Sequence, residues 1–315
     1  MKNKKNRKKK IIIELIITFS ILLSLVLFHH IKLITEEPLR TPLGELVEVD
    51  GNNISVYIEG TGDKTIVFLS GSDTPSPILD FKSLFSLLTD EYRIVVVERF
   101  GYGFSDVVDN PRDIDTVLRE TRAALVDIDG PYVLCPHSMS GLEALYWAQK
   151  YPNEVEAIVG LDMAVPAAYE DFKNNVFINV VSQLNAKVGI IRLLPLLNEL
   201  DCVKQGTLTE KEKEIVHALL YKNFSNRTII NELKYVRENA KIVEAGEIPK
   251  VPMLLFISSD TSIIKLTDAT LMYANALDQV KVVRLDCPHY VHDYEYNIIS
   301  KEIKNYLKNL TGTIK

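Results

Sequence analysis

Cysteine is scarce in this sequence, with three residues among 315: Cys135, Cys202 and Cys287. Their wide spacing matches neither a zinc-binding pattern nor a disulfide framework. No group of His, Asp and Glu has metal-ligand spacing either, so the sequence predicts no bound metal. A Gly-x-Gly-x-x-Gly loop opening a helix is also missing, since Gly101 and Gly103 supply only part of it. We therefore expect neither a metal nor another cofactor.

Positive charge is scarce beyond the first ten residues. Seven of the 36 Lys and Arg lie in residues 1–10, so the rest of the chain holds 29 of them against 42 Asp and Glu. A protein this acidic is a poor ligand for nucleic acid, because phosphate contacts need clustered cations. The contents of 47% hydrophobic and 25% charged residues are ordinary for a globular protein. The composition thus predicts a globular protein that does not bind nucleic acid.

A long apolar run follows the basic residues. Residues 11–34 read IIIELIITFSILLSLVLFHHIKLI, and about 20 apolar residues suffice to span a bilayer as a helix. A cleaved signal peptide is the alternative, but residues 29–37 offer no pair of small residues for cleavage. We predict an uncleaved, single-pass anchor in the cell membrane. Because flanking cations stay inside, residues 1–10 are expected to be cytoplasmic and the remainder extracytoplasmic.

Strand and helix patterns alternate from residue 46 onward. A hairpin is predicted around Asp50-Gly51-Asn52. Continuous apolar runs typical of buried parallel strands follow, in the order KTIVFLSG, YRIVVVERF, PYVLCPH, VEAIVGLDM, VPMLLFISSD and VKVVRLDC. Apolar residues recur at helical spacing between most of them. This alternation predicts an α/β fold with a doubly wound, mostly parallel sheet.

One long segment interrupts the alternation. Residues 165–248 contain no convincing strand, and Thr209 and Glu212 have the spacing of a capping box. We interpret this segment as a helical lid inserted into a core of residues 46–164 and 249–312. Its apolar patch, Ile190–Leu197, indicates either a substrate with a hydrophobic acyl part or simple packing of the lid against the core.

Ser138 is the candidate nucleophile. It follows the strand PYVLC and directly precedes a helix. A serine on such a sharp turn projects its hydroxyl above the sheet, and the helix N-terminus favours developing negative charge. The turn needs small residues two positions to either side. Ser138 has Pro136 and Ser140 there, whereas Ser140 would have the bulky Leu142. A serine that merely caps the helix is the alternative.

Several segments resemble those of the α/β-hydrolase superfamily, in its lid-bearing esterase, peptidase and acyl-hydrolase branch. PHSMSG is similar to the Gly-His-Ser-Met-Gly-Gly turn, and ERFGYGFSD resembles the Asp-x-x-Gly-x-Gly-x-Ser segment. VFLSGSD resembles the oxyanion loop, and CPHYVHDYE the segment with the catalytic histidine. The resemblance covers residues 46–164 and 249–312 in the right order. It implies the α/β-hydrolase fold, with a helical lid and here one preceding transmembrane helix.

The sequence departs from the family pattern at four positions. Pro136 and Ser140 replace both glycines of the nucleophile turn, Ser70 replaces the usual histidine of the oxyanion loop, and Pro288 replaces the glycine before the catalytic histidine. Proline fixes φ and lacks an N–H, so the turn is expected to differ in shape. None of these changes removes a group that the mechanism needs.

The resemblance implies a Ser-His-Asp triad. Ser138 would attack an acyl carbonyl, with His289 as general base and then general acid. The acid is Asp260, which follows VPMLLFISS where the family usually carries it, or Asp162, which follows VEAIVGL and occupies an acid position used in some branches. We favour Asp260.

The backbone N–H groups of Met139 and Ser72 are the oxyanion hole that the resemblance implies. Among the other histidines, His292 lies three residues beyond His289 and is a rival for the base. His137 is expected to pack behind the turn, and His217 to lie partly exposed on a lid helix.

The leading hypothesis is a membrane-anchored serine hydrolase that cleaves an ester or related acyl bond of a small-molecule substrate. Two alternatives stay open: a non-catalytic receptor or scaffold on the same fold, and an acyltransferase, lyase or C–C bond hydrolase. The pattern does not separate them, because fold does not dictate reaction. The sequence also gives no oligomeric state and no natural substrate.

Overall fold

The centre of the molecule is an eight-stranded sheet. The structure, a computed structural model, describes residues 2–194 and 200–312, and side chains within 6–194 and 200–310. The strands are β1 (Glu45–Val49), β2 (Asn52–Glu59), β3 (Thr65–Leu69), β4 (Arg93–Glu98), β5 (Tyr132–Pro136), β6 (Val155–Leu161), β7 (Met253–Ile257) and β8 (Val280–Arg284). Their order in the sheet is β1-β2-β4-β3-β5-β6-β7-β8.

Twelve helices are described around this sheet. Their bounds are α1 (Lys2–Thr35), α2 (Pro77–Asp80), α3 (Lys82–Phe85), α4 (Ile114–Ala124), α5 (Gly141–Lys150), α6 (Val176–Val188), α7 (Asp201–Lys204), α8 (Glu210–Asn223), α9 (Arg227–Glu244), α10 (Ile264–Ala274), α11 (Val291–Tyr294) and α12 (Tyr296–Gly312). The apolar spacing at residues 81–88 thus corresponds to one short helix, α3, and α2 ends just before it.

The sheet is parallel from β4 to β8, and the hairpin β1–β2 adds to β4 in antiparallel orientation. Every residue of β3, β5 and β7 is buried, as expected for strands covered by helices on both faces. Two apolar layers fill the core. One contains Trp147 of α5 and Val236 of α9, and the other contains Phe81 and Ile303. The predicted doubly wound α/β fold is confirmed.

The first helix is long and apolar. It includes the basic segment as well as the predicted span, and an 18-residue stretch within Asn6–Thr35 has a mean hydropathy of 2.8. None of the apolar stretch used for that average is buried against the rest of the chain. The helix is therefore long and apolar enough to cross a membrane.

The helical insertion, residues 165–248, carries α6 to α9 and no strand within its described residues 165–194 and 200–248. Polar side chains attach it to the loop after β4. Thr228 donates from Oγ1 to the Val108 carbonyl (2.6 Å), and Asn226 donates to the Gly101 carbonyl (2.7 Å). Gly101 has φ +86°, and an added Cβ would lie 2.7 Å from Thr228 Cβ. Only glycine therefore permits this close approach.

The apolar patch at Ile190–Leu197 divides between core and surface. Ile191 is fully buried, whereas Leu193 and Leu194 are exposed. Leu196 and Leu197 lie outside the described residues. Packing of the insertion thus accounts for only part of the patch.

Candidate active site

Ser138 lies on a sharp turn between β5 and α5. Its φ of +52° is in the left-handed region, which is unusual for a residue with a Cβ. A turn of 3₁₀ helix, Ser138–Ser140, follows and leads into α5. Backbone strain of this kind persists only where the surrounding contacts impose it, and it concentrates at functional sites.

Close packing holds this turn. Ser140 is buried and donates from Oγ to the Leu69 carbonyl (2.6 Å) and the His137 carbonyl (2.9 Å). A Cβ on Gly141 would lie 2.1 Å from the Ala164 carbonyl oxygen, so the backbones approach too closely for any side chain. The hydroxyl of Ser140 is thus committed to structure, while Ser138 is half-buried.

The His289 ring is held by Asp162. Its Nδ1 lies 2.7 Å from Asp162 Oδ2. The Asp162 carboxylate is completely buried, and it also accepts hydrogen bonds from the Ser258 N–H (3.0 Å) and hydroxyl (2.7 Å). These bonds fix the carboxylate at the carboxyl end of β6. An imidazole that donates from Nδ1 to a buried carboxylate keeps Nε2 as its basic nitrogen.

Asp260, the acid that the sequence favours, contacts a different part of His289. Its Oδ2 accepts from the His289 backbone N–H (3.3 Å), and its Oδ1 accepts from the hydroxyl and N–H of Ser262. The Ser262 hydroxyl is the main reason that the pKa of Asp260 is lowered. The preference for Asp260 is thus corrected: Asp260 caps the turn Thr261–Ile263, and Asp162 is the carboxylate on the ring.

Ser138 and His289 lie in the same region without a direct hydrogen bond in the described part of the chain. The Ser138 carbonyl accepts from the Ala164 N–H (2.8 Å), two residues beyond Asp162. The ring of the adjacent His137 lies 4.7 Å from that of His289. Catalytic hydrogen bonds are often long before substrate binds. The fold therefore brings the serine turn, the imidazole and its carboxylate to one end of the sheet.

The loop after β3 approaches the serine turn. A Cβ on Gly71 would lie 3.0 Å from Ser138 Cβ, so the loop carrying Ser72 runs directly beside the serine. Met139 follows Ser138 at the start of the helical turn. Both backbone N–H groups that the family resemblance implies as an oxyanion hole therefore belong to segments next to Ser138.

His137 packs behind the serine turn. It is buried, and its Nε2 lies 3.3 Å from the His289 carbonyl oxygen. Burial lowers the pKa of His137 well below its usual value, and the nearby His289 and His292 rings lower it further. His137 is therefore a neutral ring that supports the turn.

His292, the rival base, is fully buried beside a different acid. Its Nε2 lies 2.9 Å from Asp80 Oδ2. Asp293 is also fully buried, and neither of its carboxylate oxygens has a hydrogen-bond partner among the described residues. Burial, and then the Asp80 charge, raise the pKa of Asp293 well above its usual value. His292 is thus paired inside the core with Asp80 and not with Asp162.

Sequence reasoning missed Asp80 and Asp293. Asp80, His137 and His292 offer ligand-type atoms within 4.8 Å of one another, and these are the residues that could hold a metal. Asp80 precedes its partner by 212 positions and lies on a four-residue helix. No spacing rule connects such distant positions, and the expectation of no metal stays a prediction.

Comparison with known proteins extends the resemblance. The chain is 39% identical over 243 residues to the uncharacterized protein YbdG of Bacillus subtilis, covering 74% of each. A second protein of that organism, YqjL, is 30% identical over 109 residues, which cover 34% of this chain and 42% of YqjL. No family model matches the chain.

Solved structures share the fold at low identity. A loop variant of the haloalkane dehalogenase DbeA of Bradyrhizobium elkanii is 16% identical with a TM-score of 0.64, covering 85% of this chain and 97% of that one. Cfl2 of Burkholderia cenocepacia is 20% identical with a TM-score of 0.64, covering 83% and 94%. The thioesterase domain of the curacin pathway is 15% identical with a TM-score of 0.58, covering 82% and 98%. The chain therefore has the α/β-hydrolase fold and belongs to the family that includes Bacillus subtilis YbdG.

Proposed function

We propose that this protein is a membrane-anchored serine hydrolase that cleaves an ester or related acyl bond. The observation that carries the proposal is the 2.7 Å contact between His289 Nδ1 and the buried Asp162, beside the strained turn of Ser138. The dehalogenase and thioesterase neighbours support a hydrolase scaffold. The serine at the turn and the orientation of the imidazole favour acyl transfer.

The mechanism follows from these positions. Asp162 accepts the Nδ1 proton of His289, which leaves Nε2 free to take the Ser138 proton as Oγ attacks the acyl carbonyl. The N–H groups of Met139 and Ser72 stabilise the oxyanion. His289 then gives its proton to the leaving oxygen, and the C–O bond breaks to form an acyl-enzyme. Water repeats the sequence and releases the acid, with His289 again as base and then acid.

The test is activity of the full chain in detergent toward p-nitrophenyl esters, together with labelling by a fluorophosphonate. We expect turnover and stoichiometric labelling of Ser138, because the probe reacts with a serine activated by a base. Mass spectrometry of the labelled peptide identifies the residue. A folded protein that neither turns over esters nor reacts with the probe would favour a non-catalytic scaffold.

The anchoring part of the proposal rests on α1. A cleaved signal sequence would pass the same length and hydropathy test. We expect the mature protein to keep its N-terminus and to stay in the membrane fraction after alkaline carbonate washing. Recovery of a chain that begins near residue 35 in the soluble fraction would refute the anchor while leaving the hydrolase proposal intact.

A further inference from the structure

A large cavity lies where α1 meets the helical insertion. Its volume is about 550 Å³, within the range of small-molecule sites. His29 and Leu33 of α1, Lys187 of α6, and Lys222 and Arg227 near the α8–α9 turn form part of its wall. On α1 these residues follow the apolar run directly, so a spanning helix would place the cavity at the membrane surface.

Specific contacts fix α1 against the insertion at this level. Arg192 donates from Nε to His29 Nδ1 (3.0 Å) and makes two further bonds to the Glu36 carboxylate (2.8 and 2.6 Å). A Cβ on Gly189, which has φ +81°, would lie 2.4 Å from His29 Cβ. The end of α1 is thus an integral wall of the cavity.

The cavity wall is cationic. It carries Lys187, Lys222 and Arg227, and no Asp or Glu belongs to the wall within the described residues. Partial burial and the nearby Arg40 lower the pKa of Lys222, against smaller opposing effects of Asp106 and Glu98. Arg40 donates from Nη2 to the Leu33 carbonyl (2.7 Å). Arg40 itself is not part of the cavity wall. The three cations of the wall, with no carboxylate among its described residues, favour an anionic ligand.

The helix beside this cavity exposes apolar side chains. On α6, Phe177 is 77%, Val176 65% and Leu184 56% exposed. Helical spacing puts Val176, Val180 and Leu184 on the same side as Lys187. This helix also lies against α1. An apolar face at the height where the apolar run of α1 ends, next to the cations of the cavity wall, is typical of a helix that lies in the membrane interface.

We propose that the cavity binds the headgroup of an anionic lipid, with the apolar face of α6 inserted among the acyl chains of the same leaflet. This inference rests on the membrane anchoring proposed above. It identifies the class of ligand that would bind in the cavity between α1 and the helical insertion. Ser225, another residue of the cavity wall, bonds through its backbone to the Asp73 carboxylate, next to Ser72. The bound lipid therefore lies on the side of the insertion that approaches the oxyanion loop.

The test measures lipid binding, not turnover. The full chain in neutral detergent is titrated with dihexanoyl phosphatidylglycerol, dihexanoyl phosphatidylcholine or inorganic phosphate, and bound ligand is counted by native mass spectrometry. Since each cation near a membrane surface contributes a factor of about five in affinity, we expect the double variant Lys222→Gln, Arg227→Gln to lose about 30-fold in affinity for phosphatidylglycerol. Wild type should prefer phosphatidylglycerol to phosphatidylcholine by a similar factor.

The matched control is Lys211→Gln with Lys234→Gln. Both residues are exposed on the same two helices, and neither belongs to the cavity wall. Unchanged affinity in this control supports the site. Equal binding of the two lipids by wild type would overturn the proposal, as would phosphate binding as tight as phosphatidylglycerol. Esterase activity without lipid preference refutes only this inference, and lipid preference without probe labelling refutes only the serine hydrolase.

Discussion

Replacement of Ser138 by Ala is expected to abolish fluorophosphonate labelling and to lower p-nitrophenyl ester turnover by about 10⁴-fold or more. The Oγ atom is the proposed attacking group, so no neighbouring side chain can replace it. The residual rate would come from the oxyanion hole and substrate binding alone. Turnover and labelling are measured on wild type and variant in the same detergent.

The control for this variant is Ser72→Ala. Ser72 is half-buried on the loop beside Ser138, but its proposed contribution is a backbone N–H that the substitution keeps. Its turnover should stay within about tenfold of wild type, since the loss of one half-buried hydroxyl costs only about 1 kcal/mol. A folded Ser138→Ala protein that keeps both turnover and labelling would contradict the assignment of Ser138 as the nucleophile.

Replacement of Asp162 by Asn is expected to lower kcat by about 10⁴-fold, because an amide facing Nδ1 favours the wrong tautomer of the imidazole. The side chain stays isosteric, so Ser258 can still bond to its oxygen. The measurement is steady-state ester hydrolysis at neutral pH, with thermal unfolding as the check on folding.

Asp260→Asn is the matched comparison. Its carboxylate contacts the His289 backbone and the Ser262 side chain, not the imidazole, so we expect kcat to fall by less than about tenfold. The pKa of Asp260 is lowered in the fold, mainly by Ser262. Its contribution to stability is therefore present above the unfolded pKa and is lost as pH falls through the folded one. A larger kcat loss in Asp260→Asn than in Asp162→Asn would reverse the assignment.

Continuous apolar runs made the sheet predictable. VFL in β3 and VVV in β4 are buried on both faces, and such runs occur in strands that helices cover on each side. The serine turn was also predictable, because Ser138 follows one of these runs and α5 begins three residues later. The local sequence was therefore sufficient to predict the strands and the serine turn, because a short segment determines the geometry of each.

The choice between two acids depends on distances that local pattern does not contain. Asp162 and Asp260 follow neighbouring strands, β6 and β7, so both stand at the same edge of the sheet. Asp162 is at φ +44° and is held by Ser258, which directs its carboxylate to the loop of His289. Asp260 is occupied by Ser262. These are long-range and turn-level contacts, and the sequence shows only that both carboxylates are available.

The buried pair of Asp80 and His292 was unpredictable for a similar reason. Asp80 lies on a short helix that carries no catalytic signature, and its partner is more than two hundred positions away. Only the tertiary contact between α2 and α11 brings them together. The spacing of apolar residues indicates which side of a helix or strand is buried. It does not identify the side chains that pack against that side.

The contact between His29 and the loop at Gly189 has a practical consequence for how the protein is prepared. Expression of a shortened chain that starts after the apolar helix would remove His29 and Leu33, and with them one wall of the cavity. Such a preparation would keep the sheet and the cluster of Ser138, His289 and Asp162 at one end of it. It would also leave α6 without its neighbour, so its behaviour toward bulky, water-insoluble compounds would not represent that of a chain that keeps α1.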